Sequence, residues 1–369
     1  MFSNNQIISL RQIRRLLILD LFGLSSLLLP SILTGFTGGD GIFCIMVGTL
    51  FGGFYLLILK KLIVRMKKQD YYSYMKKTAG QIVADLCMVF YSFFFLMVSA
   101  FVMYQLALLI RTWLLPQSSY IGICLLLLAL VLYATLRGIE GRARVYEILF
   151  WFLAIPLLLM LAFATKDVNV NYWNPIAHTN AKDFIQGSLT VFAFFLPLCL
   201  VLFLKPFCKK PDKLYKSAGM ALLVVAMVNI AEYLILIGTF QSKTTHILSR
   251  PIITLMSMVN FPGGFFARQD ALMTAIWFFS LFALVNTGVS YGTHILRDLV
   301  SEKRTHFCII AVLVFVLAVN VWFFLNAAVL EFFYAYMKYI ALPVLVILPI
   351  LLLWIGQIKE KLKDRKEES

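Results

Sequence analysis

Charge is scarce in this sequence, and acidic charge scarcest. Asp, Glu, Lys and Arg make up 14% of the residues, against roughly 25% in ordinary soluble domains, which excludes a water-facing globular surface. There is no Gly-rich phosphate loop, Walker motif or HExxH, so neither an enzyme nor an ATP-driven pump is indicated. Six cysteines (Cys44, Cys87, Cys124, Cys199, Cys208, Cys308) are scattered without a close pair, a pattern of buried free thiols and not of disulfides or metal ligands. His178, His246, His294 and His306 stand alone near the ends of apolar runs or in loops, positions suited to surfaces and interfaces. No cofactor is implied.

What is abundant is apolar length. Hydrophobic residues reach 61% and mean hydropathy is +0.88. They fall into runs of about 20 residues, enough to cross about 30 Å of hydrocarbon as helix. Ten spans are expected, at 13–35, 41–62, 81–110, 119–136, 145–165, 185–204, 217–240, 270–296, 306–327 and 332–356. The chain reads as an all-α polytopic membrane protein forming a single transmembrane domain over 1–369. The apolar run after Arg11, Arg14 and Arg15 lacks a small-residue cleavage pattern, so it is read as the first span and not as a signal peptide.

An even span count places both termini on one side. On that side fall 26 of the 33 Lys and Arg; six lie opposite, and Lys338 sits inside span ten. The asymmetry puts the termini in the cytoplasm and turns the +15 net charge into an orientation signal with the bilayer as partner, not nucleic acid. Lys and Tyr alternate between Lys67 and Lys77, as expected at lipid headgroups. Tyr172, Trp173, Asn174 and Pro175 read as an outer aromatic belt and turn. Ile252, Leu255, Met256 and Val259 share one helical face, expected of a short lid or of an interfacial helix. Gly263 and Gly264 suit a tight turn into span eight, with Asp270 as its cap.

Ten spans divide into two sets of five, 1–165 and 166–369, and an odd number per half makes the halves inverted, as in many secondary transporters. Spans one and six are then counterparts. Gly23, Ser25 and Ser26 begin roughly 15 Å into span one, and Ala193 to Pro197 begin roughly 12 Å into span six. A plain proline kink explains span six as well as an unwound segment does; the shared depth favours breaks in both, lining a cavity. The expected ligand-binding residues are Gly23, Leu24, Ser25 and Ser26 on span one, Phe192, Ala193, Phe194 and Phe195 on span six, and Tyr91 and Ser92 on span three. Free N–H groups around Leu24 to Leu27 would face a carboxylate and carbonyls near Phe192 to Phe194 an ammonium. An amino acid would satisfy both.

Ionisable groups at membrane depth mark function or a hydrogen-bonded structural role. Glu232 with Asn229, and the patch Asn286, Thr287, Ser290 and Tyr291, are candidates for proton or cation coupling or for helix-to-helix bonding. Asp20 is expected to pair with Arg14 or Arg15 at the interface. Glu331 and Lys338 share a face of span ten, and Ser92 and Ser99 share a face of span three directed at the cavity.

Several ordered features resemble one family. They are Ser9, Arg11 and Gln12, then Gly23 to Pro30, then Gly39, Asp40 and Gly41; further on come Asn174, Pro175, Gly187, Lys205 and Pro206. Most distinctive is Arg250 and Pro251 leading through FPGGFFARQDALMTAIWFF, Phe261 to Phe279. Together the chain resembles spore germination permeases, the B subunits of endospore germinant receptors. The resemblance implies the amino acid, polyamine and organocation transporter superfamily and a LeuT-like inverted-repeat fold. It also implies a small germinant such as an amino acid, A and C partner subunits, and the spore inner membrane or cell membrane. At the span-six break, where such relatives often carry Gly and Glu, this chain has Phe194 to Leu198. Two functions are therefore expected: a sensor that binds a nutrient and signals germination, or a proton- or sodium-coupled amino acid transporter.

Overall fold

The computed structural model describes residues 6–67, 69–174, 177–259, 269–299 and 305–367. Among them the protein is helical apart from short connections and one isolated bridge between Ile8 and Cys208. The helices are α1 (Leu10–Thr37), α2 (Gly41–Arg65), α3 (Tyr71–Ala79), α4 (Gln81–Trp113), α5 (Tyr120–Leu136) and α6 (Gly138–Ala164). Then follow α7 (Ala181–Phe194), α8 (Leu200–Leu204), α9 (Leu214–Ile247), α10 (Pro251–Met258), α11 (Gln269–Leu299), α12 (Thr305–Leu325), α13 (Val329–Tyr336) and α14 (Leu342–Glu367).

Seven helical stretches among the described residues are long and apolar enough to cross a membrane, and a pair bent by 45°, Ala181–Phe194 with Leu196–Phe207, makes an eighth. The first stretch, Leu10–Arg65, is itself two helices, because Gly38 turns the chain at a φ of 53° that side chains avoid. The 17-residue α5 is apolar throughout. Counted so, the rods follow the ten expected spans. The turn at Gly263 and Gly264, the side chains of Arg268 and Asp270, and Pro175 lie outside what is described.

Local chemistry sets the boundaries. Ser9 and Gln12 form a reciprocal capping box that starts α1. Asp70 accepts the Ser73 N–H at the start of α3, and Gly80, at φ 91°, ends it. Gln241, at φ 64°, interrupts α9 one residue past the expected end of span seven.

Small residues decide which rods touch. A Cβ on Gly288 would strike Ser99, and one on Gly292 would meet Leu96, so α4 and α11 pack backbone to backbone. Ser92 donates to the Gly292 carbonyl at 3.0 Å and Ser99 to that of Val285 at 3.2 Å. The expected cavity-facing Ser92 and Ser99 are thus seams between helices. The aromatics between Lys67 and Lys77 also turn inward: Tyr71 is buried, and its hydroxyl meets that of Tyr91 at 3.1 Å. Trp173 bonds the Leu234 carbonyl at 3.0 Å and rests on α9, rather than standing free in a lipid belt.

Candidate functional site

α1 is the central rod, flanked by α9 and α11 and touching α6 and α7. Contrary to the expected break, it is one unbroken helix from Leu10 to Thr37. The residues that suggested unwinding serve close packing instead. A Cβ on Gly23 would lie 2.6 Å from Ser280 Oγ, so glycine is what lets α11 approach. Ser25 donates back to the Leu21 carbonyl at 2.8 Å within its own helix. No N–H groups are therefore freed around Leu24 to Leu27, and the expected dipole site for a carboxylate is absent there.

α7 does break. Phe195, at φ −94° and ψ 2°, separates it from a 3₁₀ turn, Leu196–Cys199, that leads into α8. Pro197 cannot supply an N–H and crowds the preceding turn, which is why the bend falls here. The Phe192 and Phe195 carbonyls are taken by the N–H groups of Phe195 (2.9 Å) and Leu198 (3.0 Å).

Beside this bend lies a cavity of about 240 Å³. Asp20 and Leu24 of α1 and Ala193, Phe194 and Pro197 of the bend form its deep end. It extends past Thr190 and Gln186 toward the end of the molecule opposite the termini, where Phe36 of α1 and Glu331 of α13 line it. Lys338 also lines it, from a π-helical turn, Met337–Ala341, that joins α13 to α14. Such turns often mark functional positions. On the terminus side of the bend, Tyr91, Tyr71 and Phe95 each pack on Phe203 of α8, with ring centres 5.3, 5.4 and 5.9 Å away. That cluster fills the space on the terminus side of the bend.

Leu24, Ala193 and Phe194 of the expected binding residues line the cavity. Gly23 faces α11, Phe192 packs edge-on against Phe51 and Tyr55 of α2, and Phe195 is fully buried at the hinge. Tyr91 belongs to the aromatic cluster around Phe203 and Ser92 to the α4–α11 seam. Ser25 and Ser26 face α9: Asn229 Nδ2 donates to Ser25 Oγ at 3.0 Å, and Ser26 donates to Glu232 Oε1 at 2.9 Å. Trp277 adds a bond to Ser26 at 3.2 Å. Glu232 is fully buried, and its Oε2 has no partner among the described residues.

Asp20 is the larger departure. It does not pair with Arg14 or Arg15; Arg15 bonds Glu147 at 2.6 Å. Asp20 is buried and accepts from Thr287 at 2.8 Å, while its Oδ2 is without a partner among the described residues. Asn286 donates to the Tyr146 hydroxyl at 3.1 Å and accepts from Ser290 at 3.2 Å, tying α11 to α6. The polar patch of span eight thus splits, with Thr287 at Asp20, Asn286 and Tyr291 against Tyr146 and Arg142 of α6, and Ser290 with its hydroxyl 3.2 Å from that of Thr135 of α5. Gln186 and Thr190 were missed by sequence reasoning, although with Ala193 and Pro197 they repeat at helical spacing on one face of span six.

A family profile described as "Spore germination protein" matches residues 7–327. Spore germination protein YndE of Bacillus subtilis is 23% identical over 284 residues, covering 77% of this chain and 78% of that protein. Spore germination protein A2 of the same organism is 25% identical over 278 residues, 74% of each chain. Among solved structures, a Na⁺-coupled sialic acid symporter in a substrate-bound outward-open state superposes with a TM-score of 0.62 at 14% identity, over 92% of this chain and 77% of that one. At that identity the likeness speaks for the fold, a LeuT-like one.

Proposed function

The chain belongs to the spore germination protein family, and on that premise we propose that it is a transporter-like membrane subunit that binds a small nutrient germinant and signals germination. The ligand is a zwitterion of amino acid size. The observation that carries this reading is the cavity beside the α7 bend, where Asp20 and Glu331 offer negative charge and Lys338 positive charge to one small volume. At about 240 Å³ it falls below the roughly 300–1,000 Å³ typical of drug-sized pockets. With α1 unbroken, the carboxylate partner is the Lys338 ammonium and not a helix end; the ammonium partner is Asp20, whose second oxygen has no partner among the described residues. Binding would signal by favouring one arrangement of the two five-helix halves, 1–165 and 166–369, over another, read by A- and C-type partner subunits. The termini are assigned to the cytoplasm and the membrane to the spore inner membrane or cell membrane.

Two fully buried carboxylates, Asp20 and Glu232, each with an oxygen that has no partner among the described residues, favour a second reading, a proton- or sodium-coupled amino acid transporter. A binding screen of amino acids and nucleosides on the purified protein, followed by uptake in proteoliposomes, separates the two. Binding without uptake is expected. Ion-gradient-driven uptake by the protein alone would replace the sensor with the transporter, and no binding of any small solute would end both.

A further inference from the structure

A second recess lies beside α6. It is a groove of about 600 Å³ between α5, α6 and α11, and Arg142 forms part of its wall. Arg142 is 5% exposed, yet its Nε and Nη1 have no hydrogen-bond partner among the described residues. The guanidinium stands over the Tyr291 ring, 5.1 Å from its centre, a contact that leaves those N–H groups unused. A buried guanidinium with idle donors is costly unless an anion supplies the missing acceptors. Its neighbours along the groove are already engaged: Arg137 donates to the Tyr133 hydroxyl at 2.9 Å, and Arg144 is paired with Glu140.

The rest of the groove is apolar. Leu149 of α6 and Phe278, Phe279 and Phe282 of α11 line it beyond the arginines. Val145 and Tyr133 on its rim are 58% and 60% exposed on the outer faces of α6 and α5, so it opens sideways where hydrocarbon would lie. From Arg137 to Leu149 the wall rises about 18 Å at helical pitch, from the terminus side, where basic residues concentrate, into the apolar zone.

We propose that this groove binds an anionic phospholipid, with its headgroup phosphate on Arg142 and an acyl chain along Leu149 and Phe278 to Phe282. A phosphate presents planar acceptor edges to the guanidinium fork. The lateral opening and aromatic wall select a lipid over a free anion.

The test is native mass spectrometry of the purified full-length protein titrated with phosphatidylglycerol, phosphatidylcholine or inorganic phosphate. Phosphatidylglycerol is expected to be retained over phosphatidylcholine. Arg142→Gln, which removes the charge, and Val145→Trp, which plugs the exposed rim and spares Arg142, should each weaken phosphatidylglycerol binding by about tenfold. Should Arg142→Gln fail to fold, Val145→Trp decides alone. Equal retention of the two lipids, unchanged binding in the folded variants, or displacement by inorganic phosphate would each overturn the proposal. None of these readouts depends on the germinant cavity.

Discussion

Gly23 shows how one residue can mislead and still matter. In sequence it marks a break; in the fold it is the point where α1 and α11 touch, with Ser280 Oγ 2.6 Å and the Leu281 backbone nitrogen 3.2 Å from where a Cβ would be. Gly23→Leu should leave membrane insertion intact but force the rods apart, costing about 1–3 kcal/mol as overpacking does, read as a lower melting temperature in detergent. Gly23→Ala should fall between it and the wild type. At Glu232 the reverse test applies. Glu232→Gln keeps an acceptor for Ser26, so the fold should survive while the pH dependence of ligand binding changes; an unchanged profile would assign Glu232 to helix packing alone. Lys338→Met removes the cavity's cation and should weaken binding of a zwitterion by about tenfold in a titration, with the melting temperature held.

At the scale of elements, the bend and the turns decide where the cavity can be. Pro197→Ala restores an N–H at the break and lets α7 run on toward α8. Germinant affinity is expected to drop by about tenfold, with a gain in helix content by circular dichroism. The turn between α1 and α2 is held differently. Asp40 accepts N–H bonds from Ala177 (2.7 Å), His178 (2.9 Å) and Thr179 (3.0 Å), and the Thr179 hydroxyl adds another at 2.7 Å. Burial pushes its carboxyl up, but these donors together outweigh burial and hold it below the ordinary value of 3.8. A depressed carboxylate stabilises the fold fully above that ordinary value and loses the effect as pH falls through its own lower one. Asp40→Ala should therefore destabilise by about 2 kcal/mol at neutral pH, with faster proteolysis of the segment before α7, and the difference from wild type should vanish in acid. The resemblance motifs Asp40 and Lys205 thus prove to be tethers, since Lys205 Nζ likewise donates to the Lys67 and Gln69 carbonyls at 2.6 and 2.8 Å.

For the whole molecule, the lining of the cavity runs from the bend toward the end opposite the termini, while the rings of Tyr71, Tyr91, Phe95 and Phe203 pack together on the terminus side of the bend. In proteoliposomes, binding is expected when solute is added to the face opposite the termini and to be absent when it is confined to the terminus side. Helical spans and the bend at Pro197 were legible in the sequence, because apolar length and a missing N–H act locally and need no partner; the ends were less so, since α6 starts at Gly138 and α14 runs to Glu367 where 145 and 356 were expected. Legible too was the buried face of α10, where Ile252, Leu255 and Met256, with Val259 just past its end, are each at most 2% exposed. The partners of polar side chains were not legible. Ser25, Ser26, Asp20 and Arg142 look alike as polar residues in apolar runs, and which of them meets a helix, a cavity or a groove depends on how the rods rotate against one another. That rotation is set by where small residues permit contact, Gly23 against Ser280 and Gly288 against Ser99, and such a pairing joins positions hundreds of residues apart that exist as neighbours only once the chain has packed.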